Sequence, residues 1–181
     1  MKNKREAGFS IVDVMIAIVI LTVGILALLA ALAGATVQSR GQTLQLDAKQ
    51  IAGSTMESIM SVKETNTEGQ QLGWAKLANI GPNPTDPGIF VNGFQPVRTD
   101  AGPDEVIGTA DDTGAVRDAY ERQIVITDQC DPDRPSPVVC NPAGTFAVRI
   151  RSVQVTIRYF VGSAQRQEVV TTVLTDYAPT T

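Results

Sequence analysis

The sequence contains no histidine. Histidine is the most common general base at neutral pH and a common metal ligand. Its absence excludes Ser–His–Asp and Cys–His catalysis and any zinc site with histidine ligands. Carboxylate chemistry of the kind that glycosidases use is not excluded, but no pair of acidic residues is marked for it. We therefore expect that the protein is not an enzyme.

The chain also lacks a basic excess, because its formal net charge is -4 over 181 residues. A face that binds nucleic acid usually appears as an excess of lysine and arginine. We therefore do not expect nucleic acid as a partner. The length suits one domain with an appendage.

Cysteine is scarce, with one residue at Cys130 and one at Cys140. Both lie in the polar part of the chain, and the short loop between them is rich in proline. If this part is exported to an oxidising compartment, the two thiols are expected to form a disulfide. The alternative is a pair of free, buried thiols. A metal site made of cysteines alone would need more ligands.

Proline is absent from the first 80 residues, and residues 14–37 form a run of 24 residues without a charge. At about 1.5 Å per residue, a helix of this length spans a hydrocarbon core of about 30 Å. The alternative is a cleavable signal peptide, for which Ala31-Leu32-Ala33 offers a cleavage pattern. The apolar core of such a peptide has only about 7–15 residues, which favours the membrane helix.

Charged residues stand at the start of this apolar run. Lys2, Lys4 and Arg5 precede it, and positive charge beside a membrane segment tends to stay in the cytoplasm. Asp13 lies just inside the run, where a carboxylate is costly without a partner. We expect that partner to come from another chain or from a newly made N-terminus. The alternative is that Asp13 only reaches the lipid headgroups.

The segment Gly8-Phe9-Ser10-Ile11-Val12-Asp13, together with the apolar residues 14–21, resembles the prepilin signal of type IV pilins and type II secretion pseudopilins. The resemblance implies that a membrane peptidase cleaves after Gly8 and methylates the new N-terminus at Phe9. It also implies that Asp13, where the family usually has glutamate, pairs with the N-terminal amine of a neighbouring subunit. Residues 21–28 further resemble the PilV-like minor pilins.

The chain is predicted to have an α+β, type IV pilin-like fold with four segments. These are a leader at 1–8, a transmembrane and filament-core helix at 9–37, an amphipathic helix at 38–64 and an exported domain at 65–181. Local melting between Gly34 and Gly41 is an alternative to one continuous helix. In the amphipathic helix, apolar residues recur at spacings of three and four and should pack on the exported domain. They are Leu44, Ala48, Ile51, Ala52, Met56 and Ile59.

The exported domain is predicted to contain an antiparallel sheet packed against the helix. Residues 81–118 are rich in proline and glycine and are expected to form loops. Strand patterns follow, and a hairpin turn at 161–164 joins the last two strands. The longest strand loses its alternation near Arg151-Ser152, which a β-bulge would explain. The predicted strands are 122–127, 147–160 and 167–174.

An acidic loop at residues 100–112 gathers five acids among glycines. Calcium binds carboxylate and carbonyl oxygens in bent loops of this composition. The candidate ligands are Asp100, Asp104, Asp111 and Asp112. Their spacing does not match the EF-hand pattern, and the alternative is a solvated acidic loop.

Together these features predict a structural subunit, of the minor kind, of a type IV pilus-like filament. Its expected partners are other pilin or pseudopilin subunits, the prepilin peptidase and methyltransferase, and the inner membrane. From there the chain would enter a periplasmic or extracellular filament. One alternative is a minor pseudopilin of type II secretion. An alternative of another class is a membrane-anchored or secreted binding protein or enzyme.

Overall fold

The computed structural model describes residues 10–64, 73–82, 88–129 and 149–176. Helix α1 runs from Ile11 to Glu64, as expected for a stretch without proline. It continues as a regular helix through residues 34–41, so the alternative of local melting there is wrong. The chain divides into two compact units, Met1–Gln42 and Thr43–Thr181, and α1 contributes residues to both.

The part of α1 after Thr43 buries one stripe of side chains, as the spacing of its apolar residues predicted. Leu44 lies at the margin of this stripe and is partly buried. Most of the remaining positions of this part carry polar and charged side chains, among them the exposed Lys49 and Glu57, but Leu46 and Met60 are apolar and exposed. The buried residues are Ala48, Ile51, Ala52, Thr55, Met56, Ile59 and Val62.

Four described strands form one antiparallel sheet, in which each strand pairs with the next along the chain. The strands expected around 122–127, 147–160 and 167–174 correspond to β2, β3 and β4. The hairpin turn between β3 and β4 is also confirmed, and Gly162 adopts the positive φ of 62° that this turn requires. The bounds are β1 Gln95–Asp100, β2 Thr113–Gln129, β3 Ile150–Val161 and β4 Ala164–Thr175.

The expectation that residues 81–118 form loops holds only in part, because β1 and the start of β2 also lie in this stretch. β1 has one neighbour among the described strands, and a proline such as Pro96 is tolerated at a sheet edge because it has no N–H to donate. The pairing of β1 with β2 shifts register on both sides of Arg98. These irregularities interrupt the regular alternation from which strands are recognised in a sequence.

The β-bulge expected near Arg151-Ser152 is also wrong. β3 pairs residue by residue with both neighbouring strands through this point. Arg151 lies on the same side of the sheet as Val153, and both side chains are buried. Its guanidinium donates to the Leu77 carbonyl at 2.9 Å and to the Asp128 carboxylate at 2.8 Å. A charged side chain at an inward position, rather than an extra residue, therefore accounts for the break in the alternation.

Polar contacts join α1 to the sheet around the apolar core. The amide of Gln45 donates to the Glu168 carboxylate at 2.8 Å, and the hydroxyl of Tyr120 donates to Asp47 at 3.2 Å. Burial and the Asp47 charge raise the pKa of Tyr120 to about 12, so this hydroxyl keeps its proton at neutral pH.

The fold is thus α+β, with one long N-terminal helix packed on a four-stranded antiparallel sheet. This layout is consistent with a type IV pilin-like fold. The packing involves the part of α1 after Thr43, and loop residues close the core. Its buried residues outside α1 include Leu77, Phe90, Val97, Val106, Ile124, Val153, Val155, Ile157, Tyr159 and Leu174.

Candidate functional site

Helix α1 begins with a local hydrogen-bond arrangement around Ser10. The Ser10 hydroxyl oxygen accepts a hydrogen bond from the backbone N–H of Val12 at 3.3 Å, and the Ser10 carbonyl accepts one from Asp13 at 3.0 Å. Serine is favoured at a helix start because its side chain satisfies an N–H that has no partner within the helix. Asp13 lies in the first turn, where a negative charge interacts favourably with the helix dipole.

The surface of α1 between Ile11 and Val37 is apolar on all sides. Every large hydrophobic side chain in this range is at least 46% exposed. The hydroxyls of Thr22 and Thr36 donate to backbone carbonyls of the preceding turn, at 2.7 and 2.8 Å, so they need no water as a partner. By its length and composition, this helix is able to cross a membrane.

Asp13 is the one ionisable residue between Ile11 and Val37. Its carboxylate makes no hydrogen bond or ion pair with any other residue of the described ranges. The residues expected at the processing site, Gly8 and Phe9, lie outside those ranges. The predicted cleavage, methylation and pairing with Asp13 therefore stay predictions.

The expected disulfide also falls outside the part of the chain that the structure describes, which omits both Cys130 and Cys140. Its alternative, two free thiols, remains open for the same reason. The pairing of these cysteines stays a prediction.

The acidic loop connects β1 with β2, and its carboxylates accept hydrogen bonds from backbone N–H groups of the loop itself. Asp100 accepts a hydrogen bond from the N–H of Gly102 at 3.0 Å, and Asp104 accepts one from Val106 at 2.8 Å. Asp111 accepts a hydrogen bond from the backbone N–H of Asp104 at 3.3 Å. Short side chains that accept from nearby backbone groups are a common means of shaping a turn.

Asp104 and Asp111 lie beside each other but titrate differently. Partial burial is the main reason that the pKa of Asp104 is raised from its ordinary value. A hydrogen bond from the Thr109 hydroxyl, at 2.5 Å, is the main reason that the pKa of Asp111 is lowered. The two carboxylates therefore differ in their preference for the charged form.

Asp112 points to a different partner. Both of its oxygens accept from the backbone N–H of Gly108, at 3.1 and 3.0 Å, and one also accepts from the guanidinium of Arg122 at 2.5 Å. Within the described residues, no group of three or more acidic or sulfur-bearing side chains converges on a point that would hold a metal ion. The geometry thus gives calcium binding no support, and it stays a prediction.

The ion pair between Arg122 and Asp112 is a feature that sequence reasoning missed. The side chains are 3% and 11% exposed, so the pair is largely withdrawn from solvent. The sequence did indicate that Arg122 points into the core, because Arg122 is two residues before Ile124 and lies on the same side of the strand. The partner was not predictable, because Asp112 lies in a loop whose course the sequence pattern does not define.

Comparisons with known proteins add no relative. No family model, no curated protein and no solved structure matches this chain. The function is therefore argued from the residues and their arrangement.

Proposed function

We propose that this chain is a structural subunit, of the minor kind, of a type IV pilus-like filament, and that it enters the filament through its N-terminal helix. The observation that carries this proposal is the exposed apolar surface of α1 between Ile11 and Val37. Such a surface needs an apolar environment. Lipid provides it while the chain lies in the membrane, and the packed helices of a filament core provide it after assembly.

The position of Asp13 supports the same proposal. A carboxylate in an apolar layer is costly, and a positive group from a neighbouring chain relieves that cost through a charge-assisted hydrogen bond. After cleavage behind Gly8, the new amine would belong to Phe9, four residues before Asp13 in the sequence. Each subunit would then offer an amine to one neighbour and a carboxylate to another, which is a head-to-tail contact that propagates as a filament.

The experiment that tests the proposal measures incorporation of Asp13 variants into filaments. The amount of the chain in sheared filaments is divided by its amount in membranes, so that expression does not affect the result. Asp13→Ala and Asp13→Asn should lower this ratio by about tenfold, because they remove a charge pair in an apolar layer. Asp13→Glu should retain the ratio. Equal incorporation of all variants would exclude Asp13 as the assembly contact.

Processing supplies a second, independent readout. The mass of the mature chain should correspond to a methylated N-terminus at Phe9, and a bulky residue in place of Gly8 should leave the leader attached. Gly24→Ala is the matched control, because it changes a glycine within α1 that has open space around it. A mature N-terminus near Ala35 would instead indicate a secreted protein and overturn the proposal. Isolation of the filament that contains the chain shows whether the chain is a subunit of a pilus or of a type II secretion pseudopilus.

A further inference from the structure

Arg122 is buried on the side of the sheet that faces α1, and its donors are only partly used. A guanidinium carries five N–H donors and no acceptor. Among the described residues, the Asp112 carboxylate is its one hydrogen-bond acceptor. Burial lowers the pKa of Arg122 from its ordinary value, and the charge of Asp112 opposes this only in part. The surroundings of Arg122 therefore favour additional negative charge.

Two hollows lie beside this side chain, with volumes of about 310 and 320 Å³. Both are lined by Arg98 and Arg122. One of the two, which we call the arginine hollow, lies between α1 and strands β1 and β2, and Arg117 is its third arginine. Its lining residues, all within the described ranges, include no acid, whereas Asp112 is the one acid that lines the other hollow. The arginine hollow therefore has a positive lining, in which Arg122 alone has an ion pair among the described residues.

Arg98 and Arg117 also have donors to spare. One nitrogen of Arg98 donates to the Gly114 carbonyl at 3.2 Å, which leaves most of its N–H groups without an acceptor in the described ranges. Arg117 makes no hydrogen bond or ion pair with a described residue, and it is exposed. Both side chains are thus able to turn toward a ligand without breaking an ion pair.

The rest of the lining restricts the chemistry of that ligand. The hydroxyls of Ser54 and Thr55 already donate to the Ile51 carbonyl, at 3.1 and 2.7 Å, so the arginines are the main free donors. Planar guanidinium groups bind carboxylates and phosphates through paired N–H groups. A volume of about 320 Å³ is at the lower end for small-molecule sites.

We propose that the arginine hollow binds an oxyanion, a carboxylate or a phosphate carried by a small molecule, through Arg98, Arg117 and Arg122. The ion pair with Asp112 holds Arg122 in place, and the ligand takes the donors that remain. The site belongs to the unit from Thr43 onward and does not depend on the filament proposal.

Titration of the full chain in detergent micelles with inorganic phosphate tests this inference. Sodium chloride keeps the ionic strength constant, so that general screening does not imitate binding. Calorimetry should show one saturable site. Arg117→Gln should weaken binding by about tenfold, because it removes a charge-assisted hydrogen bond without disturbing the core. Arg98→Gln should weaken it to a similar extent.

Arg166→Gln is the matched control, because Arg166 is an exposed arginine of β4 that does not line the hollow. Its affinity for phosphate should equal that of the parent. A second titration with glucuronate distinguishes the two sources of the oxyanion, since preference for phosphate or for glucuronate identifies the group that the site accepts. Failure of both anions to saturate the chain at millimolar concentration would overturn the inference. Equal weakening in Arg117→Gln and Arg166→Gln would also overturn it.

Discussion

Two buried arginines point from the sheet toward α1, and they use their donors in different ways. Arg151 donates to the carbonyls of Trp74 and Leu77 and to the carboxylate of Asp128, and its guanidinium stacks 4.8 Å from the centre of the Trp74 ring. Arg122 donates to Asp112 alone among the described residues and borders two hollows. The comparison shows two environments for a buried guanidinium, since Arg151 has three protein acceptors among the described residues and Arg122 has one.

The largest expected effect tests the structural role of Arg151. Arg151→Met leaves the carbonyls of Trp74 and Leu77 without their donor, and we expect it to lower the free energy of unfolding by about 4 kcal/mol. Asp128 is half exposed, so the loss comes mainly from the carbonyls. Circular dichroism in denaturant measures it. The control is Arg149→Gln, which removes a half-exposed ion pair with Asp176 and should lower the free energy of unfolding by less than about 1 kcal/mol. Equal losses in Arg151→Met and Arg149→Gln would contradict the structural role of Arg151.

The second prediction concerns Arg122 and is expected to give a smaller loss. Arg122→Met should lower the free energy of unfolding by about 3 kcal/mol, because it leaves the largely buried Asp112 unpaired. Asp112 keeps its hydrogen bonds from Gly108, which limits the loss. The double variant with Asp112→Asn should recover part of it, as expected for coupled residues. If Arg122→Met lowers the free energy of unfolding by more than Arg151→Met does, the expected difference between the two arginines is wrong.

The third prediction tests how tightly the loop is held against Arg122. Gly108 has a φ of 101°, and an added Cβ would lie 2.3 Å from the terminal methyl of Ile124. Gly108→Ala should therefore lower the free energy of unfolding by about 2–3 kcal/mol through overpacking and backbone strain. Gly162→Ala isolates the backbone part, since Gly162 has open space and a φ of 62°, and it should cost about 1 kcal/mol. If thermal unfolding shows that Gly108→Ala and Gly162→Ala lose equal stability, the loop at Gly108 shifts to accommodate the added methyl group.

The smallest expected effects concern the pH dependence of the acidic loop. The pKa of Asp111 is lowered in the folded chain, so its charge stabilises the fold above the ordinary value of 3.8, and this is lost as the pH falls through the folded pKa. The pKa of Asp104 is raised, so its contribution is present below 3.8 and is lost as the pH rises through the folded pKa. The two contributions therefore have opposite signs.

Asparagine variants separate these contributions, with changes below about 1 kcal/mol in the free energy of unfolding. Asp111→Asn should destabilise the chain at pH 7, and the effect should diminish as the pH falls below 3.8. Asp104→Asn should be neutral or stabilising at pH 7, because it removes the cost of a partly buried charge. Unfolding curves at pH 7 and below pH 3.8 measure both. A stabilising Asp111→Asn at pH 7 would contradict the assignment.

Much of the fold was predictable from the sequence, because regular elements leave periodic patterns. The absence of proline and the spacing of Ala48, Ile51 and Met56 predicted the helix and its packed side. Alternation predicted β3 and β4. The pattern failed at β1, where Pro96 and irregular pairing remove the alternation, and at Arg151, where a charged residue holds an inward position.

The candidate sites were less predictable, for a physical reason. Asp13 and the acidic residues are conspicuous as charges, but their partners are set by the path of the chain. Arg122 meets Asp112 because the loop before β2 folds back over the sheet, which no local pattern indicates. Composition indicated a cation as partner of the loop carboxylates, which stays a prediction; their hydrogen bonds to the loop backbone and to Arg122 were not predicted.

The order of the strands has a consequence for how copies of this sheet would associate. Among the described strands, β1 and β4 each have one neighbour, but they differ as templates. β1 carries Pro96 and an irregular register, whereas β4 has no charge and no proline from Val169 to Thr175. Proline, charge and irregularity hinder the addition of a strand, so any strand that joined this sheet would do so beside β4 rather than β1. Extension of the sheet would therefore be one-sided.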